Sequence, residues 1–337
     1  MISSMLAKFR RRERGMLVVS TWPAPPELFS GSLPAGTRVV RADHEELLAL
    51  APEADVIIGD RSQHIHVDRE VIERTTRCLL VQQPSAGYEN IDVAAAREKG
   101  IPVANAGPAN ANAVAEHAIM GTLACLKQLR EAVEDAERGG WDQQRWIDKD
   151  LGDLYRRTVG ILGFGAVGQA VASRLTGFEC ETLYHRRNRI RAADEDRLRV
   201  TYTELDHLLR QSEVLILTLP LNPVTRGMIS AERLARLPKG AILVNVSRGG
   251  IVDERALTDA LRSGHLGGAA LDVFGVEPLP VGHDLGSLPN VILTPHIGGT
   301  TAQSKGNILM NSIGNVSRIV RGEPPQFVVN KVETART

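Results

Sequence analysis

The stretch TVGILGFGAVGQAVASRLTGFECETLYHRR, residues 158–187, decides the fold of this chain. Its first part, TVGIL, is a short apolar run that predicts a buried strand, and the segment after the glycines predicts a helix. Between them Gly163, Gly165 and Gly168 form the pattern G-x-G-x-x-G. In a strand–turn–helix context, this pattern indicates a turn that binds the pyrophosphate of a dinucleotide.

Glycine is required at each of the three positions for a different physical reason. The first permits the tight turn, the second lets backbone N–H groups approach a pyrophosphate, and the third lets the helix pack on the strand. The helix N-terminus then faces the anion. We therefore expect the whole turn to line the cofactor site: Gly163, Phe164, Gly165, Ala166, Val167 and Gly168.

The end of the next predicted strand, CETLY, indicates which dinucleotide binds. An acidic residue at this position usually accepts hydrogen bonds from the ribose 2′-hydroxyl. This chain instead has His185, Arg186 and Arg187, with no carboxylate before Asp194. A guanidinium binds phosphate through two parallel charge-assisted hydrogen bonds. The sequence predicts NADP(H) as the preferred cofactor, with NAD(H) possible; the alternative is that the arginines only solvate the strand end.

Short β-rich segments alternate with helical ones along most of the chain. In the first half, strands are predicted in MLVVS, TRVV, DVIIG, CLLVQQ and IPVAN. From Thr158 onward, six more are predicted in TVGILG, CETLY, VLILTLP, AILVNVS, GAALDVF and VILTPH. This alternation predicts an α/β protein with two Rossmann-like or flavodoxin-like domains, each with a parallel sheet and helical crossovers.

The domain order follows from the helices between and after these series. Helical spacing predicts one unbroken helix over residues 111–140, and a further helix after His296 returns the chain to the first half. We therefore predict that a coenzyme domain, residues 109–296, is inserted in a substrate domain formed by residues 16–108 and 297–337.

The long helix and its aromatic continuation favour a homodimer. Trp141 and Trp146 follow the helix in WDQQRWID. Aromatic residues are enriched in the cores of protein interfaces. We expect this segment to pack against a second copy of the chain.

Composition narrows the class of protein further. The chain has 40 basic and 40 acidic residues, which argues against nucleic acid and anionic membranes as partners. No apolar run approaches the roughly 18 residues of a membrane span. Cys78, Cys125 and Cys180 are isolated, which indicates a reducing, cytoplasmic compartment and no metal site. The basic start MISSMLAKFRRRERGM lacks the apolar core of a secretory signal, so a solvated tail, or Met16 as the true start, is favoured over a transit peptide.

Charged side chains follow three successive predicted strands, in NVSRGGIVDE, LDVFGVEPLP and TPHIGG. They are Arg248, then Asp272 with Glu277, then His296. Taken singly, each residue has another interpretation. Arg248 could form an ion pair and Asp272 could cap a strand. Glu277 could be a loop carboxylate, and His296 could be the neighbour of a helix N-cap. Because open α/β sheets bind ligands at the carboxyl ends of their strands, we expect a common site.

These motifs, together with LGFGAVG and PSAGYENID, resemble the D-isomer-specific 2-hydroxyacid dehydrogenase family from about Leu17 to Asn330. The basic strand end resembles its glyoxylate/hydroxypyruvate reductase branch. The resemblance implies Arg248, Glu277 and His296 as the catalytic residues. It also implies a substrate carboxylate loop at Ser85, Ala86 and Gly87, with Arg248 as a further substrate contact. The implied cofactor contacts beyond the glycine turn and the basic strand end are Pro220, Asn222, Thr225, Val246, Ser247, Arg248, Asp272, His296 and Gly298.

The chemistry of these side chains agrees with the implied roles. A guanidinium fork at Arg248 can hold the carboxylate and carbonyl of a 2-keto acid, while backbone N–H groups around Gly87 take the carboxylate. His296 can donate the proton as hydride arrives, and Glu277 can fix its tautomer. We predict an NADP(H)-preferring reductase that forms a D-2-hydroxy acid from a small 2-keto acid.

Two alternatives stay open. One is an NAD-linked D-2-hydroxyacid dehydrogenase, for example one that acts on phosphoglycerate. The other is a dinucleotide-sensing corepressor, which the complete Arg–Glu–His set and the balanced charge disfavour. Of the remaining histidines, His64 and His66 are interpreted as surface residues and His117 as a core or interface residue of the long helix.

Overall fold

The computed structural model describes residues 15–23, 33, 35–149 and 151–332. The sequence expectation about the first 14 residues lies outside the described part. The chain divides into two compact units, one of residues 1–110 and 302–337 and the other of Ala111–Thr301. The sequence predicts these boundaries after residues 108 and 296. The inserted unit extends past His296 because Ile297 and Gly298 donate backbone hydrogen bonds to Asp272 of the same unit.

Twelve strands occur in the described residues, β1 to β12 in chain order: Met16–Ser20, Thr37–Arg41, Val56–Ile58, Leu80–Gln82, Val103–Ala104, Thr158–Leu162, Glu181–His185, Val200–Tyr202, Val214–Leu217, Ala241–Asn245, Leu266–Leu271 and Val291–Leu293. Twelve α-helices are described, α1 to α12: His44–Leu50, Arg69–Arg74, Val93–Glu98, Ala111–Leu126, Leu129–Glu137, Gln143–Asp148, Ala166–Leu175, Ala192–Leu198, Leu205–Gln211, Ala231–Leu234, Glu254–Arg262 and Ala302–Arg321.

The first unit contains a five-stranded sheet in the order β2-β1-β3-β4-β5. Every strand pair is parallel. This is the flavodoxin-like order, in which the strand sequence reverses between β1 and β3. The returning helix α12 belongs to this unit: Ile308 and Val316 are buried in its core, and Asn315 Nδ2 donates to Gln82 Oε1 of β4 at 2.7 Å. The parallel α/β fold predicted for this part of the chain is therefore confirmed.

The second unit contains a seven-stranded parallel sheet in the order β12-β11-β10-β9-β6-β7-β8. The order reverses between β6 and β9, which is the switch point of a Rossmann-type sheet. Strands β9 and β10 are buried along their whole length, as expected when helices cover both faces. Sequence analysis found six of these strands and missed β8, a three-residue edge strand that follows a strongly charged helix.

The prediction of one unbroken helix over residues 111–140 was wrong. The helix ends at Leu126, and Gln128 adopts a left-handed conformation (φ +46°) before α5 begins. The two parts have different environments: α4 is largely buried, whereas α5 has no buried residue. Helical spacing continues through both parts, so the sequence pattern does not show the single residue that turns the chain. Within the described residues, no helix combines the length and apolar character needed to cross a membrane.

Candidate active site

The glycine-rich turn between β6 and α7 shows which glycines the fold itself requires. Gly163 has φ +88°, and a Cβ there would lie 2.7 Å from Leu219 N. A Cβ on Gly168 would lie 2.7 Å from Gly163 O and 3.0 Å from Thr218 Oγ1. A Cβ on Gly165 would meet no described atom within 4 Å. The fold thus needs the first and third glycines, whereas the second leaves open space in front of the α7 N-terminus, as an approaching anion requires.

The three side chains at the basic end of β7 differ in how many contacts hold them in place. His185 Nδ1 lies 2.8 Å from Thr203 O, so its ring is held by the residue that follows β8. Arg186 Nη1 donates to Phe164 O in the glycine-rich turn at 3.2 Å. Arg187 is exposed and forms no ion pair with a described residue. The strand end therefore offers one anchored and one available guanidinium next to the glycine-rich turn.

A buried carboxylate that sequence analysis did not consider anchors the loop after β7. Glu195 accepts from Arg189 Nη2 at 2.6 Å and from the Tyr184 hydroxyl at 2.6 Å. Hydrogen bonds from Arg189 and Tyr184 lower the pKa of Glu195 to about 2. Burial, with the Glu195 charge, raises the pKa of Tyr184 to about 12. Arg189 and Tyr184 therefore occupy both oxygens of this carboxylate.

The turn after β9 uses its polar side chains internally. Thr225 Oγ1 donates to Pro220 O at 2.7 Å and accepts from Asn222 N at 2.8 Å. Asn222 Oδ1 accepts from the backbone of Val224 and Thr225 at 2.9 and 3.2 Å. Thr225 is buried and Asn222 is exposed. The side chains of Asn222 and Thr225 therefore stabilise the turn itself.

The turn after β10 is organised by Asn245, another residue that sequence analysis missed. Its Oδ1 accepts from Ser247 N and Ser247 Oγ at 3.1 and 2.8 Å, and its Nδ2 donates to Arg248 O at 3.0 Å. Arg248 Nη1 donates to Ser247 O at 2.7 Å. A Cβ on Gly249 would lie 1.8 Å from the Phe274 carbonyl carbon. The turn that carries Arg248 therefore lies directly against the turn after β11. The half-buried Val246 continues the strand into this turn.

Glu277 and His296 form a hydrogen-bonded pair. His296 Nδ1 lies 2.7 Å from Glu277 Oε2, and Glu277 Oε1 accepts from Phe274 N at 3.0 Å. Burial alone would raise the pKa of Glu277, but the hydrogen bonds from His296 and Phe274, with the positive charge of Arg248, hold it below the ordinary value. Because Nδ1 is committed to the carboxylate, Nε2 is the ring nitrogen that remains for chemistry.

Asp272 caps the turn that carries His296. The buried carboxylate accepts from Thr294 Oγ1 at 2.6 Å and from the backbone N–H groups of Ile297 and Gly298 at 2.9 and 2.8 Å. His296 itself has φ +53°. The capping interpretation of Asp272 is thus present in the structure, and it fixes the backbone immediately after His296.

The loop Ser85–Ala86–Gly87 belongs to the other unit. The Ser85 hydroxyl donates to Gly87 O at 2.6 Å and accepts from Gln83 Nε2 at 2.8 Å, so it stabilises the loop. No acceptor within the described residues takes the backbone N–H of Ala86 or Gly87. Two backbone donors are therefore available on this loop.

Within the second unit, the predicted residues share one edge of the sheet. The glycine-rich turn, the basic end, the Pro220 turn, the Arg248 turn, Asp272 and His296 follow the carboxyl ends of β6, β7, β9, β10, β11 and β12 respectively. No group of three or more His, Cys, Asp or Glu side chains in the described residues could hold a metal ion. The edge presents a hydrogen-bonded carboxylate–imidazole pair, a guanidinium and a glycine-rich turn at a helix N-terminus. Side chains of these kinds are suited to hydride transfer to a carbonyl.

Comparisons with known proteins identify the family and the fold. Residues 119–298 match the family model described as D-isomer specific 2-hydroxyacid dehydrogenase, NAD binding domain. Glyoxylate reductase of Pyrococcus furiosus is 39% identical over 291 residues, which cover 85% of each chain. Glyoxylate/hydroxypyruvate reductase B of Pectobacterium carotovorum is 36% identical and covers 82% of this chain and 86% of its own. A solved structure from Pyrococcus horikoshii matches with a TM-score of 0.84 and 32% identity, covering 94% of this chain and 96% of that one.

The chain therefore belongs to the D-isomer-specific 2-hydroxyacid dehydrogenase family. It is an NAD(P)-dependent oxidoreductase that interconverts 2-keto and 2-hydroxy acids. The family and the fold predicted from the sequence are both confirmed.

Proposed function

We propose that this chain reduces a small 2-keto acid of the glyoxylate or hydroxypyruvate kind to its D-2-hydroxy acid, with NADPH preferred over NADH. The observation that carries the proposal is the His296–Glu277 pair, 2.7 Å apart, on a sheet whose β7 ends in two arginines instead of an acid. The relatives named glyoxylate reductase support the substrate class.

The residues around the glycine-rich turn fit a phosphorylated dinucleotide. The open space at Gly165 and the uncapped N-terminus of α7 suit a pyrophosphate. Arg187 would bind the 2′-phosphate, with Arg186 held beside it through Phe164 and His185 completing the basic end. When bound, the reduced nicotinamide supplies the hydride.

His296 would exchange the proton at the substrate oxygen. Its Nδ1 is bound to Glu277, so Nε2 carries the proton that is placed on the carbonyl oxygen during reduction. In the oxidation direction the same nitrogen accepts it. Glu277 keeps the ring oriented and balances the charge of the imidazolium.

Arg248 and the Ser85–Ala86–Gly87 loop would bind the substrate. A hydrogen bond from Arg248 Nη1 to Ser247 O helps to orient the guanidinium, whose fork of donors has the geometry that suits a carboxylate and a polarised carbonyl. The N–H groups of Ala86 and Gly87 would take the carboxylate.

The remaining implied cofactor contacts would act mostly through backbone and shape. The Asn222 and Thr225 side chains form hydrogen bonds within the turn. Together with Pro220 they would shape the part of the cofactor site that contacts the adenine. Asp272 keeps lone pairs beyond its capping bonds, and would accept from the nicotinamide carboxamide. Val246, Ser247 and Gly298 would line the same side of the ring.

We also propose a homodimer in the cytoplasm. Exposed apolar side chains follow one another along α4 to α6, with Leu129 49%, Trp141 90% and Ile147 69% exposed. A second copy would cover them, which sedimentation or light scattering would detect as twice the chain mass. The free cysteines support a reducing compartment.

The decisive experiment is a substrate panel with both cofactors. Glyoxylate, hydroxypyruvate, phosphohydroxypyruvate and pyruvate would be offered with NADPH or NADH, and nicotinamide absorbance followed. We expect turnover of glyoxylate or hydroxypyruvate, with kcat/KM about tenfold or more higher for NADPH, since one charge-assisted pair is worth at least that. Turnover with NADH alone would favour the NAD-linked alternative. Tight dinucleotide binding with no turnover would favour the sensor.

A further inference from the structure

One polar side chain of α4 contacts the turn that carries His296. His117, only 14% exposed, places Nε2 at 2.9 Å from Thr294 Oγ1 and 3.5 Å from Asp272 Oδ1. His117 and Thr294 are 177 positions apart in the chain. The helix and the turn are therefore joined by a polar contact inside an otherwise apolar region.

The hydrogen bonds fix the tautomer of His117. A threonine hydroxyl has one proton, and Thr294 gives it to Asp272 Oδ1 at 2.6 Å. Thr294 Oγ1 can then only accept from His117, so Nε2 must carry a proton. The chain His117–Thr294–Asp272 runs in one direction and ends on the carboxylate that holds Ile297 N and Gly298 N.

The turn also packs directly on this group. A Cβ on Gly298 would lie 2.8 Å from Asp272 Oδ2 and 3.3 Å from His117 Cγ. His296 has φ +53°, a backbone conformation that residues with a side chain keep only where the surroundings hold it. The backbone before His296 is held through Thr294, and the backbone after it through Asp272.

We propose that His117 is a positioning residue for His296: it donates to Thr294, orients the Asp272 carboxylate, and so keeps the acid–base imidazole in place against Glu277. This inference rests on the proposed role of His296. His117 touches no reacting atom. A residue that merely filled space would need no donor at Nε2, so donor and bulk can be tested separately.

Four variants separate the effect of the donor from the effect of bulk. His117→Leu keeps bulk and loses the donor, whereas His117→Gln keeps a donor near the position of Nε2. Thr294→Val removes the hydroxyl with little change of shape, which keeps the test open should His117→Leu fold poorly. Glu116→Gln, on the same helix, breaks the exposed ion pair with Arg174 and is the matched control.

We expect kcat to fall roughly 10–100-fold in His117→Leu and Thr294→Val, because small misplacements of a catalytic group cost rates of this order. The KM for the keto acid should stay within about twofold, the pattern of a defect confined to the transition state. His117→Gln should regain most of kcat, and Glu116→Gln should retain it. An unchanged kcat in both His117→Leu and Thr294→Val, or a rise in the KM for the keto acid that matches the fall in kcat, would overturn the proposal.

A second measurement does not depend on turnover. Hydrogen exchange at the Ile297 and Gly298 amides should be faster in His117→Leu and Thr294→Val than in the wild type, and unchanged in Glu116→Gln. If the wild type reduces no keto acid, the proposed function fails, but exchange still tests the positioning contact. Equal exchange rates in all variants would show that His117 does not hold the turn.

Discussion

Two regions of the same sheet edge differ in whether their polar groups form hydrogen bonds within the chain. At the ends of β6 and β7, Gly165 opens onto free space and Arg187 pairs with no described residue. At the ends of β10 to β12, Asn245, Asp272 and Glu277 all accept hydrogen bonds from their own chain. The difference supports the proposal that the first region receives a large anion and that the second holds the reacting groups in fixed positions.

The largest expected effect lies in the self-bonded region. His296→Ala should lower kcat by about 10²–10⁴, the usual cost of losing an acid–base group, while dinucleotide binding persists. Steady-state kinetics and fluorescence titration would measure the two quantities. His207→Ala, which removes an exposed histidine of α9, serves as the control. Full turnover in His296→Ala would refute the acid–base assignment.

The next effect tests whether the open region selects the cofactor. Arg187→Ala should raise the KM for NADPH roughly 10–100-fold and leave the KM for NADH nearly unchanged, because it removes a charge-assisted contact to the 2′-phosphate. Arg191→Ala, which removes a guanidinium already paired with Asp194, is the matched control. An equal change for both cofactors would show that Arg187 does not distinguish them.

The glycines separate folding from binding within one turn. Gly168→Ala should lower the melting temperature, since its Cβ would press on Gly163 O, and overpacking costs about 1–3 kcal/mol. Gly165→Ala should keep the melting temperature but weaken dinucleotide binding by about tenfold, because its methyl enters the space that the pyrophosphate needs. Calorimetry on both variants would measure melting and affinity. A large loss of stability in Gly165→Ala would contradict this separation.

The smallest effect concerns the anchor behind the open region. The pKa of Glu195 is about 2 in the folded chain, against an ordinary 4.5, so the unfolded chain binds this proton more readily. Its contribution to the free energy of unfolding is therefore complete above about pH 4.5 and is lost as the pH falls towards 2. Denaturant unfolding of wild type and Glu195→Gln should differ most above pH 4.5. A gap that widened on acidification would contradict the assignment.

Much of this site could be predicted because its residues follow strand ends that the sequence pattern reveals. The glycine-rich turn, Arg248, Glu277 and His296 all lie within six residues of a strand end. His117 could not be assigned in this way, since its partner Thr294 is 177 residues distant and only the folded sheet brings them together.

Other missed features left weaker signals. Asn245 is the one polar residue closing the buried run AILVN, which could have indicated that it organises the next turn. Glu195 was indistinguishable from the charged residues around it in AADEDRL until burial and its contact with Tyr184 were known. The break at Gln128 has no counterpart in helical spacing, because one left-handed residue leaves composition unchanged.

The lack of space for a side chain at Gly249 limits how the sequence of such a chain can change in evolution. A single methyl there would collide with the Phe274 carbonyl, so the segments bearing Arg248 and Glu277 must be inherited as a matched pair. An insertion or shift in one would demand a compensating change in the other. Natural variants with new substrate preferences should therefore keep these two segments and differ mainly elsewhere, for example in the loop at Ser85 on the other unit.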